Sequence, residues 1–481
     1  MSDRYDLVVL GGGTAGLVSS VIAAGVGARV ALVERDRTGG DCLWTGCVPS
    51  KSLIASARLA HRMRHADAVG LAAVEPAIDF AQVMDRVHRA IATIEPHDSP
   101  ARLRAQGVEV VHGEGRFVDP ATLEVHRRRL RFTSAIVACG SQPALPPIAG
   151  LDGDRVLTTE SVWALREMPR RLVVLGGGPI GCELGQAFAR LGSDVTLVEV
   201  AERLLLKEEP AASTLIAERL AADGVNVRLG ARAVEVRRRG GSPPALVLET
   251  AAGRELMPFD RILAATGRSP RTQGIGLDAA GVELDARGAV IVDDRLRTSA
   301  PRIFAAGDVT ARLPFTHVAA HHARVAAVNA LFGLRRTVDE AIPWVTFTDP
   351  EVARVGLTEA QARERWGARA TIARGDYASL DRAITDGDAQ GFALLVADPR
   401  GRLVGATVAA PGAGEVIAEL TARVKGGDKL DAISTTVHAY PTLAEGPARA
   451  ADEQLRRRYA GARYRALARP ILAARRILAR S

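Results

Sequence analysis

"YDLVVLGGGTAGLVSSVIAAGVGARVALVE", residues 5–34, begins with an apolar strand that runs into a glycine-rich turn, a helix and a second strand. Gly11, Gly13 and Gly16 have the spacing in which glycines permit a tight turn, close approach of a pyrophosphate, and close helix–strand packing. The amino end of the helix then faces the phosphates. Glu34 ends the second strand, where a carboxylate can bind a ribose diol. The stretch therefore predicts a dinucleotide-binding fold.

The pattern recurs at residues 171–199, "RLVVLGGGPIGCELGQAFARLGSDVTLVE". Its glycines are Gly176, Gly178 and Gly181, and its acid is Glu199. Two such folds in one chain predict two dinucleotides, or a dinucleotide and a flavin. That combination is typical of an enzyme that transfers electrons between two cofactors.

The second acid bears on the choice of nucleotide. A carboxylate at Glu199 would bind the free 2′-hydroxyl of NADH and repel the 2′-phosphate of NADPH. Arg203 follows closely in the sequence and could accommodate that phosphate. We therefore expect NADH, with NADPH possible.

A close cysteine pair follows the first fold, in "GGDCLWTGCVPSKSL", residues 39–53. Five helical residues rise about 7.5 Å, too far for most disulfides, so a bridge between Cys42 and Cys47 needs a bend. Gly46 makes that bend easy. A helix beginning near Val48 would place its positive end close to Cys47 and favour a thiolate there.

The other two cysteines, Cys139 and Cys182, lie in separate apolar contexts and predict small buried side chains. They do not complete a zinc-type ligand set with the pair, so no metal site is predicted. Four cysteines in 481 residues are too few for a disulfide framework. With no apolar run long enough to span a bilayer and no secretory signal, we expect a cytoplasmic protein.

Over roughly residues 5–455 the chain resembles the flavoprotein pyridine-nucleotide–disulfide oxidoreductases, which include lipoamide dehydrogenase, glutathione reductase and mercuric reductase. The most specific motif is "GGDCLWTGCVPSK", similar to the redox-active segment of that family. The other matching stretches are "ACGS" (138–141), "ATGRSP" (265–270), "TSAPRIFAAGDVT" (298–310) and "IPWVTFTDPEVARVGLTE" (342–359).

The resemblance implies an α/β protein with two Rossmann-like domains, an α+β C-terminal interface domain, bound FAD and a homodimer. The implied ranges are 1–150 with 277–341 for FAD, 151–276 for NAD(P), 342–460 for the interface and 461–481 for a basic tail. Asp308 would bind the ribityl chain. Gly40, Gly140 and Gly267 lie in matching motifs and are expected at the cofactors.

The resemblance also implies a mechanism. The nicotinamide would deliver hydride to flavin N5, beside an ion pair of Lys51 and Glu183. Electrons would pass to the disulfide, with Cys47 next to the flavin and Cys42 attacking the substrate.

The C-terminal segment departs from the glutathione and lipoamide enzymes, whose H-P-T-x-x-E motif supplies an acid–base histidine from the other subunit. Here Tyr440 stands in the histidine position, and Glu445 is kept. Tyrosine is a poor base at neutral pH. His438 is either a displaced base or the partner in a structural hydrogen bond. Tyrosine here is similar to mercuric-reductase-like members, but the last cysteine is Cys182, so the C-terminal cysteine pair of mercuric reductase is missing.

The net charge of +8 comes from the C-terminal tail, because residues 455–481 contain nine arginines and no acid, which leaves about −1 for the rest. Apolar side chains recur there at helical spacing: Tyr464, Leu467, Ile471, Ala474 and Leu478. Pro470 is expected to kink that helix or to begin a new one. Such a helix could lie on an anionic membrane or dock on its own dimer. Nucleic-acid binding is not expected, since no recognition fold accompanies the charge.

The electron acceptor stays open at this point. The sequence is typical of a reductase of a small disulfide or thiol-reactive acceptor. The alternatives are a membrane-associated NAD(P)H:quinone-type reductase, a mercuric reductase-like or dihydrolipoamide dehydrogenase-like activity, and a subunit that docks on a larger complex.

Overall fold

The computed structural model of the protein describes residues 4–238 and 243–479. Within them the chain divides into two units. The first contains residues 4–63, 75–202 and 223–339, and the second contains 64–74, 203–222 and 340–479. The domain limits expected from the sequence remain predictions.

The opening stretch folds as the predicted strand, helix and strand at the centre of a seven-stranded sheet. The elements are β1 (Arg4–Leu10), α1 (Thr14–Gly25), β2 (Val30–Glu34), α2 (Gly40–Trp44), α3 (Cys47–Arg64), α4 (Phe80–Ile94), α5 (Pro100–Ala105), β3 (Val108–His112), β4 (Gly115–Asp119), β5 (Thr122–Val125) and β6 (Arg128–Val137). β1 pairs in parallel with β2 on one side and β6 on the other, so the turn after β1 lies where the strand order reverses. Ligands of open α/β sheets bind at such a point.

The second glycine-rich stretch builds a five-stranded parallel sheet. The next elements are β7 (Ser141–Pro143), β8 (Val156–Leu157), β9 (Arg171–Leu175), α6 (Pro179–Arg190), β10 (Asp194–Val198), α7 (Pro210–Ala222), β11 (Asn226–Arg228), β12 (Arg232–Arg237), β13 (Ala245–Thr250), β14 (Gly253–Pro258), β15 (Arg261–Ala264), β16 (Arg268–Pro270), β17 (Ile303–Ala305) and α8 (Thr316–Phe332). The sheet order is β11-β10-β9-β15-β8, β12–β14 form an antiparallel sheet, and β7 pairs with β16. β17 returns to the first sheet beside β6.

The second unit is built on a five-stranded antiparallel sheet of order β18-β19-β22-β21-β20. Its elements are β18 (Pro343–Thr346), β19 (Glu351–Gly356), α9 (Glu359–Trp366), β20 (Thr371–Asp376), α10 (Asp381–Thr385), β21 (Phe392–Ala397), β22 (Leu403–Ala410), α11 (Ala413–Gly426), α12 (Leu430–Thr435), α13 (Glu445–Tyr459) and α14 (Ala462–Leu478). Apolar side chains of this sheet, α11 and α13 share one core. The predicted fold class is therefore confirmed.

A buried ion pair fixes the loop before α7 within the second unit. The guanidinium Nε of Arg354 lies 3.1 Å from Glu208 Oε2, and the indole of Trp344 donates to the other carboxylate oxygen at 2.6 Å. Both charged side chains are about 5% exposed or less, and a buried charge needs such a partner.

The basic tail forms the single helix α14, which contains Pro470 in its interior. Of the two alternatives expected for Pro470, the start of a new helix is excluded, because one helix runs from Ala462 to Leu478. In the described residues no helix is long and apolar enough to cross a membrane.

Candidate active site

The first glycine-rich turn is shaped by backbone packing at two of its three glycines. Gly11 has φ of +108°, and a Cβ there would lie 2.4 Å from the Ala138 oxygen. A Cβ at Gly16 would lie 1.8 Å from the Gly11 oxygen. At Gly13 the nearest atom would be Gly40 Cα at 3.8 Å. The second glycine thus leaves room at the amino end of α1, where a pyrophosphate would approach.

The second turn repeats this arrangement. Gly176 has φ of +106°, and a Cβ there would lie 2.6 Å from the Ala265 oxygen. A Cβ at Gly181 would lie 1.9 Å from the Gly176 oxygen, whereas one at Gly178 would meet no described atom within 4 Å. Both turns therefore leave space at the middle glycine only.

The two acids at the strand ends are held alike. Glu34 accepts a hydrogen bond from the Gly12 N–H at 2.5 Å, and Glu199 accepts one from the Gly177 N–H at 2.6 Å. Each also accepts a backbone N–H from two residues further along the chain, at 2.8 Å. A carboxylate has about four acceptor sites, so two remain for the hydroxyls of a ribose diol. This donor set fits a dinucleotide at each turn.

Asp308 follows β17 and is largely buried. Its carboxylate accepts a hydrogen bond from Ser141 Oγ at 2.7 Å, and burial raises its pKa. Gly140 and Gly267 have φ of +70° and +131°, and a Cβ at either would meet no described atom within 4 Å. A buried carboxylate beside open space is suited to hydroxyl donors, as the ribityl chain of FAD supplies.

Cys42 lies in α2, and Cys47 is the first residue of α3. The bend between the two helices places the Gly46 N–H 2.6 Å from the Asp41 oxygen, and a Cβ on Gly46 would lie 3.0 Å from that oxygen. Glycine is needed here for close approach rather than for a left-handed backbone. The structure holds both cysteines as thiols.

The pKa values of the two thiols are shifted in opposite directions. A hydrogen bond from Cys42, another contact to Thr316 Oγ1 at 3.3 Å, and the charge of Lys51 lower the pKa of Cys47 to about 6, against the effect of burial. The same pairing, with burial, raises the pKa of Cys42. These opposite shifts favour the thiolate at Cys47 over one at Cys42. Thr316, the first residue of α8, was not predicted, because no sequence spacing connects it to the pair.

The cysteine helix α3 is tied to α6 in two places. Lys51 Nζ lies 2.8 Å from Glu183 Oε2, and the Glu183 side chain is 8% exposed. Further along, the buried Asp223 carboxylate lies 3.2 Å from His61 of α3 and 2.9 Å from Arg190 of α6. The second tie was not predicted. The direct ion pair and the bridge through Asp223 together connect α3 and α6 and restrain the orientation of Lys51 and Cys47.

A further arginine that the sequence analysis did not single out connects the predicted groups. Arg268 Nε donates to Ser141 Oγ at 2.7 Å and lies 3.9 Å from Asp308 Oδ2. Its Nη2 lies 3.1 Å from Asp41 Oδ2, beside Cys42. The side chain is 14% exposed. The arginine of "ATGRSP" was the available signal, but its partners are distant in sequence.

Among the contacts described, Cys139 and Cys182 each have one hydrogen bond, to a backbone oxygen. Cys139 Sγ lies 3.5 Å from the Leu10 oxygen, and Cys182 Sγ lies 3.4 Å from the Gly177 oxygen. Burial raises the pKa of Cys139 to about 12 and raises the pKa of Cys182 as well. Neither is a thiolate at neutral pH. In the described residues, no three or more histidine, cysteine, aspartate or glutamate side chains converge as a metal site would require.

The predicted C-terminal residues lie in the second unit. Tyr440 is 69% exposed, and its hydroxyl donates to Asp381 Oδ2 at 2.8 Å, which raises the Tyr440 pKa. Glu445 begins α13 and accepts the Thr442 N–H at 3.3 Å. The described contacts of Tyr440 are thus to Asp381 rather than to Glu445.

His438 is held by a separate acid. Its Nε2 lies 3.0 Å from Glu419 Oε2, and the imidazole is 11% exposed. A contact between a histidine and a carboxylate fits both alternatives for His438, a structural hydrogen bond and a base oriented by an acid, so its role stays a prediction.

The fold contains two glycine-rich turns of the dinucleotide-binding type and, beside them, the Cys42 and Cys47 thiols. These features are typical of an oxidoreductase. A family model described as pyridine nucleotide-disulphide oxidoreductase matches residues 5–323, and the dimerisation domain of the same family matches residues 342–451. The chain belongs to this family of flavoprotein oxidoreductases, as predicted. Family members depend on FAD and use NAD(P)H, and the dimerisation domain supports a homodimer.

The similar proteins fall in more than one branch. A mercuric reductase of Streptomyces lividans is 39% identical over 92% of this chain and 94% of its own. A dihydrolipoyl dehydrogenase of Thermus scotoductus is 36% identical over 93% of this chain and 97% of its own. Among solved structures, the HOCl-induced flavoprotein disulfide reductase RclA from Escherichia coli is 28% identical with a TM-score of 0.82, covering 93% of this chain and 99% of that one.

Proposed function

We propose that the protein takes two electrons from NADH and passes them through FAD and the Cys42–Cys47 pair to a small electron acceptor. The observation that carries the proposal is the environment of Cys47. It combines a lowered pKa, a hydrogen bond from the neighbouring thiol and a position at the amino end of α3.

The cofactor roles rest on the two matched turns. Glu34 and Asp308 would hold FAD, and Glu199 would hold the nicotinamide dinucleotide. The glycines that would line the cofactors are Gly11, Gly13, Gly16, Gly40, Gly140, Gly176, Gly178, Gly181 and Gly267. When bound, FAD supplies two-electron transfer between the nicotinamide and the cysteine pair.

The Lys51–Glu183 pair is proposed to fix a positive charge beside the cysteines. At 2.8 Å, with the carboxylate buried, the pair keeps the ammonium in place. That charge favours the Cys47 thiolate over the thiol.

With a disulfide acceptor, Cys42 is the attacking residue. It would lose its proton and bond to one sulfur of the acceptor, while the other sulfur leaves and takes up a proton. Cys47 would then attack Cys42, which closes the Cys42–Cys47 disulfide and releases the second thiol. Because the neighbouring thiolate raises the Cys42 pKa, the first deprotonation needs a proton acceptor.

The need for a proton acceptor at Cys42 favours a second class of electron acceptors, which are not disulfides. Tyr440 stands where the resemblance leads one to expect a base, and its hydroxyl is committed to Asp381. Its raised pKa makes it a weaker acid still. Quinones and thiol-binding metal ions need no proton for a leaving thiol. The mercuric reductase relatives, and the Cu(II) complexes recorded for RclA, are in keeping with a metal acceptor.

NADH is the proposed donor because Glu199 would oppose a 2′-phosphate. Arg203, which could have favoured NADPH, donates to the backbone oxygens of Glu208 and Leu206 at 3.0 and 2.7 Å. The ratio of kcat/KM for the two nucleotides tests this choice, and a ratio in favour of NADPH would contradict it. The expected cytoplasmic location stays a prediction.

The test of the acceptor is a comparison of the wild type with Cys42→Ser on a panel of disulfides, quinones and Hg²⁺ or Cu²⁺. Acceptors reduced through the dithiol should lose about 10²-fold or more of their rate in the variant. Quinones reduced directly from the flavin should keep their rate. Equal rates for every acceptor in both proteins would contradict a catalytic role for Cys42.

A further inference from the structure

The C-terminal helix α14 has an apolar side without a described cover. Leu467, Ile471 and Leu478 are 61, 62 and 73% exposed. Their spacing of four and seven residues places them in one stripe along the helix. Apolar side chains this exposed, in register along one helix, mark a binding surface.

Three of the arginines of α14 form a second stripe with the same spacing, while Arg475 lies beside the apolar stripe. Arg465, Arg469 and Arg476 are each exposed and lie two residues before the corresponding apolar position. An offset of two residues is about 200° around the helix, so the charged and apolar stripes face in opposite directions. Residues 455–481 contain no acid that would neutralise the arginines within the tail.

The positive charge of the tail indicates which partner covers the apolar stripe of α14. A second copy of the helix would cover the apolar stripe, but it would bring further arginines and no acid, since residues 455–481 contain nine arginines and no acid. The rest of the chain, at about −1 net charge, offers little to attract them. The match to the dimerisation domain ends at residue 451, before α14 begins. An anionic bilayer would bury the apolar stripe and attract the arginines.

We propose that α14 lies on the surface of an anionic phospholipid bilayer, with its apolar stripe at the boundary between headgroups and acyl chains. The helix lies on the membrane and does not cross it. The proposal concerns location only and does not depend on the proposed acceptor.

The experiment is flotation of the purified holoenzyme with vesicles of phosphatidylcholine, with or without phosphatidylglycerol. The charge variant carries Arg465→Gln, Arg469→Gln and Arg476→Gln. The matched control removes the same charge from exposed positions elsewhere, with Arg104→Gln, Arg369→Gln and Arg400→Gln. The apolar variant carries Leu467→Ser, Ile471→Ser and Leu478→Ser. FAD content and NADH oxidation show that each variant is folded.

The wild type and the matched control should bind the anionic vesicles at low salt and release at high salt. The charge variant should bind about 100-fold more weakly, since each of the three arginines near the surface contributes about fivefold. The apolar variant should also lose binding. Indifference of the wild type to anionic lipid, or equal weakening by the matched control, would overturn the proposal. So would loss of the dimer on deleting residues 461–481, which would place the helix in the dimer instead.

Discussion

At the scale of single residues, the charges around the cysteine pair favour the thiolate at Cys47 over one at Cys42. Lys51 and the Cys42 hydrogen bond stabilise the Cys47 thiolate, while the Asp41 carboxylate opposes it. Because the folded-state pKa is lowered to about 6, the thiolate is present above that pH and is lost as the pH falls through it. Steps that need this thiolate should weaken below about pH 6.

Arg268 is expected to be a positioning residue that offsets the Asp41 charge. Arg268→Gln leaves Asp41 without the contact at 3.1 Å, so the pKa of Cys47 should rise by about one pH unit. The measurement is the pH titration of thiolate absorbance, or of the flavin–thiolate band, in the reduced holoenzyme.

Asp41→Asn in the Arg268→Gln background is the control for that prediction. It should bring the Cys47 pKa back down, because the opposing charge is then gone. A merely structural role for Arg268 would give unfolding or FAD loss that Asp41→Asn does not reverse.

Tyr440 allows a test of the missing base. Tyr440→His should raise turnover of lipoamide by about 10²-fold and leave quinone reduction unchanged, because only a disulfide needs a proton for its leaving thiol. Asp381→Ala, which removes the carboxylate that accepts the Tyr440 hydrogen bond, is the control without a new base. Rapid lipoamide reduction by the wild type, abolished in His438→Ala, would contradict the account and make His438 the base.

The site side chains that lie within short sequence motifs could be predicted from the sequence. The Lys51–Glu183 contact was expected from two motifs of the resemblance and is present at 2.8 Å. Arg268 and Thr316 were missed as partners of the dithiol segment, because tertiary folding brings them there from distant parts of the chain. The Tyr440–Asp381 hydrogen bond was missed for the same reason, since 59 residues separate the two.

At the scale of secondary-structure elements, the first and third glycines of each turn are needed for backbone packing, and the middle glycine leaves space for a ligand. The spacing of the glycines could be predicted from the sequence, and so could the strand–helix–strand around each turn. The close contacts of Gly11 and Gly176 could not be predicted, because they are made to Ala138 and Ala265, which come much later in the chain. Pro470 shows the limit of local rules, because α14 continues through it.

The second turn gives a matched pair of substitutions. Gly181→Ala would place a Cβ 1.9 Å from the Gly176 oxygen, so it should destabilise the protein by about 3 kcal/mol. Gly178→Ala meets no described atom within 4 Å, so the thermal midpoint and FAD content should not change. The KM for NADH should nevertheless rise, because the added methyl group occupies the space left for the pyrophosphate. An unchanged KM in Gly178→Ala would contradict the nucleotide site.

At the scale of the whole molecule, the first unit contains both nucleotide turns and the dithiol, and the second contains the antiparallel sheet and the C-terminal segment. The match to the dimerisation domain supports a homodimer, in which the Tyr440 segment is expected to reach the Cys42 side of the other subunit. The fold class followed from the repeated nucleotide motif. The acceptor does not follow from it, because relatives that match over most of the chain are named for different substrates.

The central claim is that NADH reduces a Cys42–Cys47 disulfide, and a count of thiols tests it most directly. The chain has four cysteines, of which Cys139 and Cys182 should stay reduced throughout. Air-oxidised holoenzyme, denatured without reductant, should titrate two thiols per chain, and the same enzyme treated anaerobically with excess NADH should titrate four. Cys42→Ser should titrate three thiols with or without NADH, since Cys47 then has no partner. Four thiols in the oxidised wild type, or two after NADH, would contradict the claim.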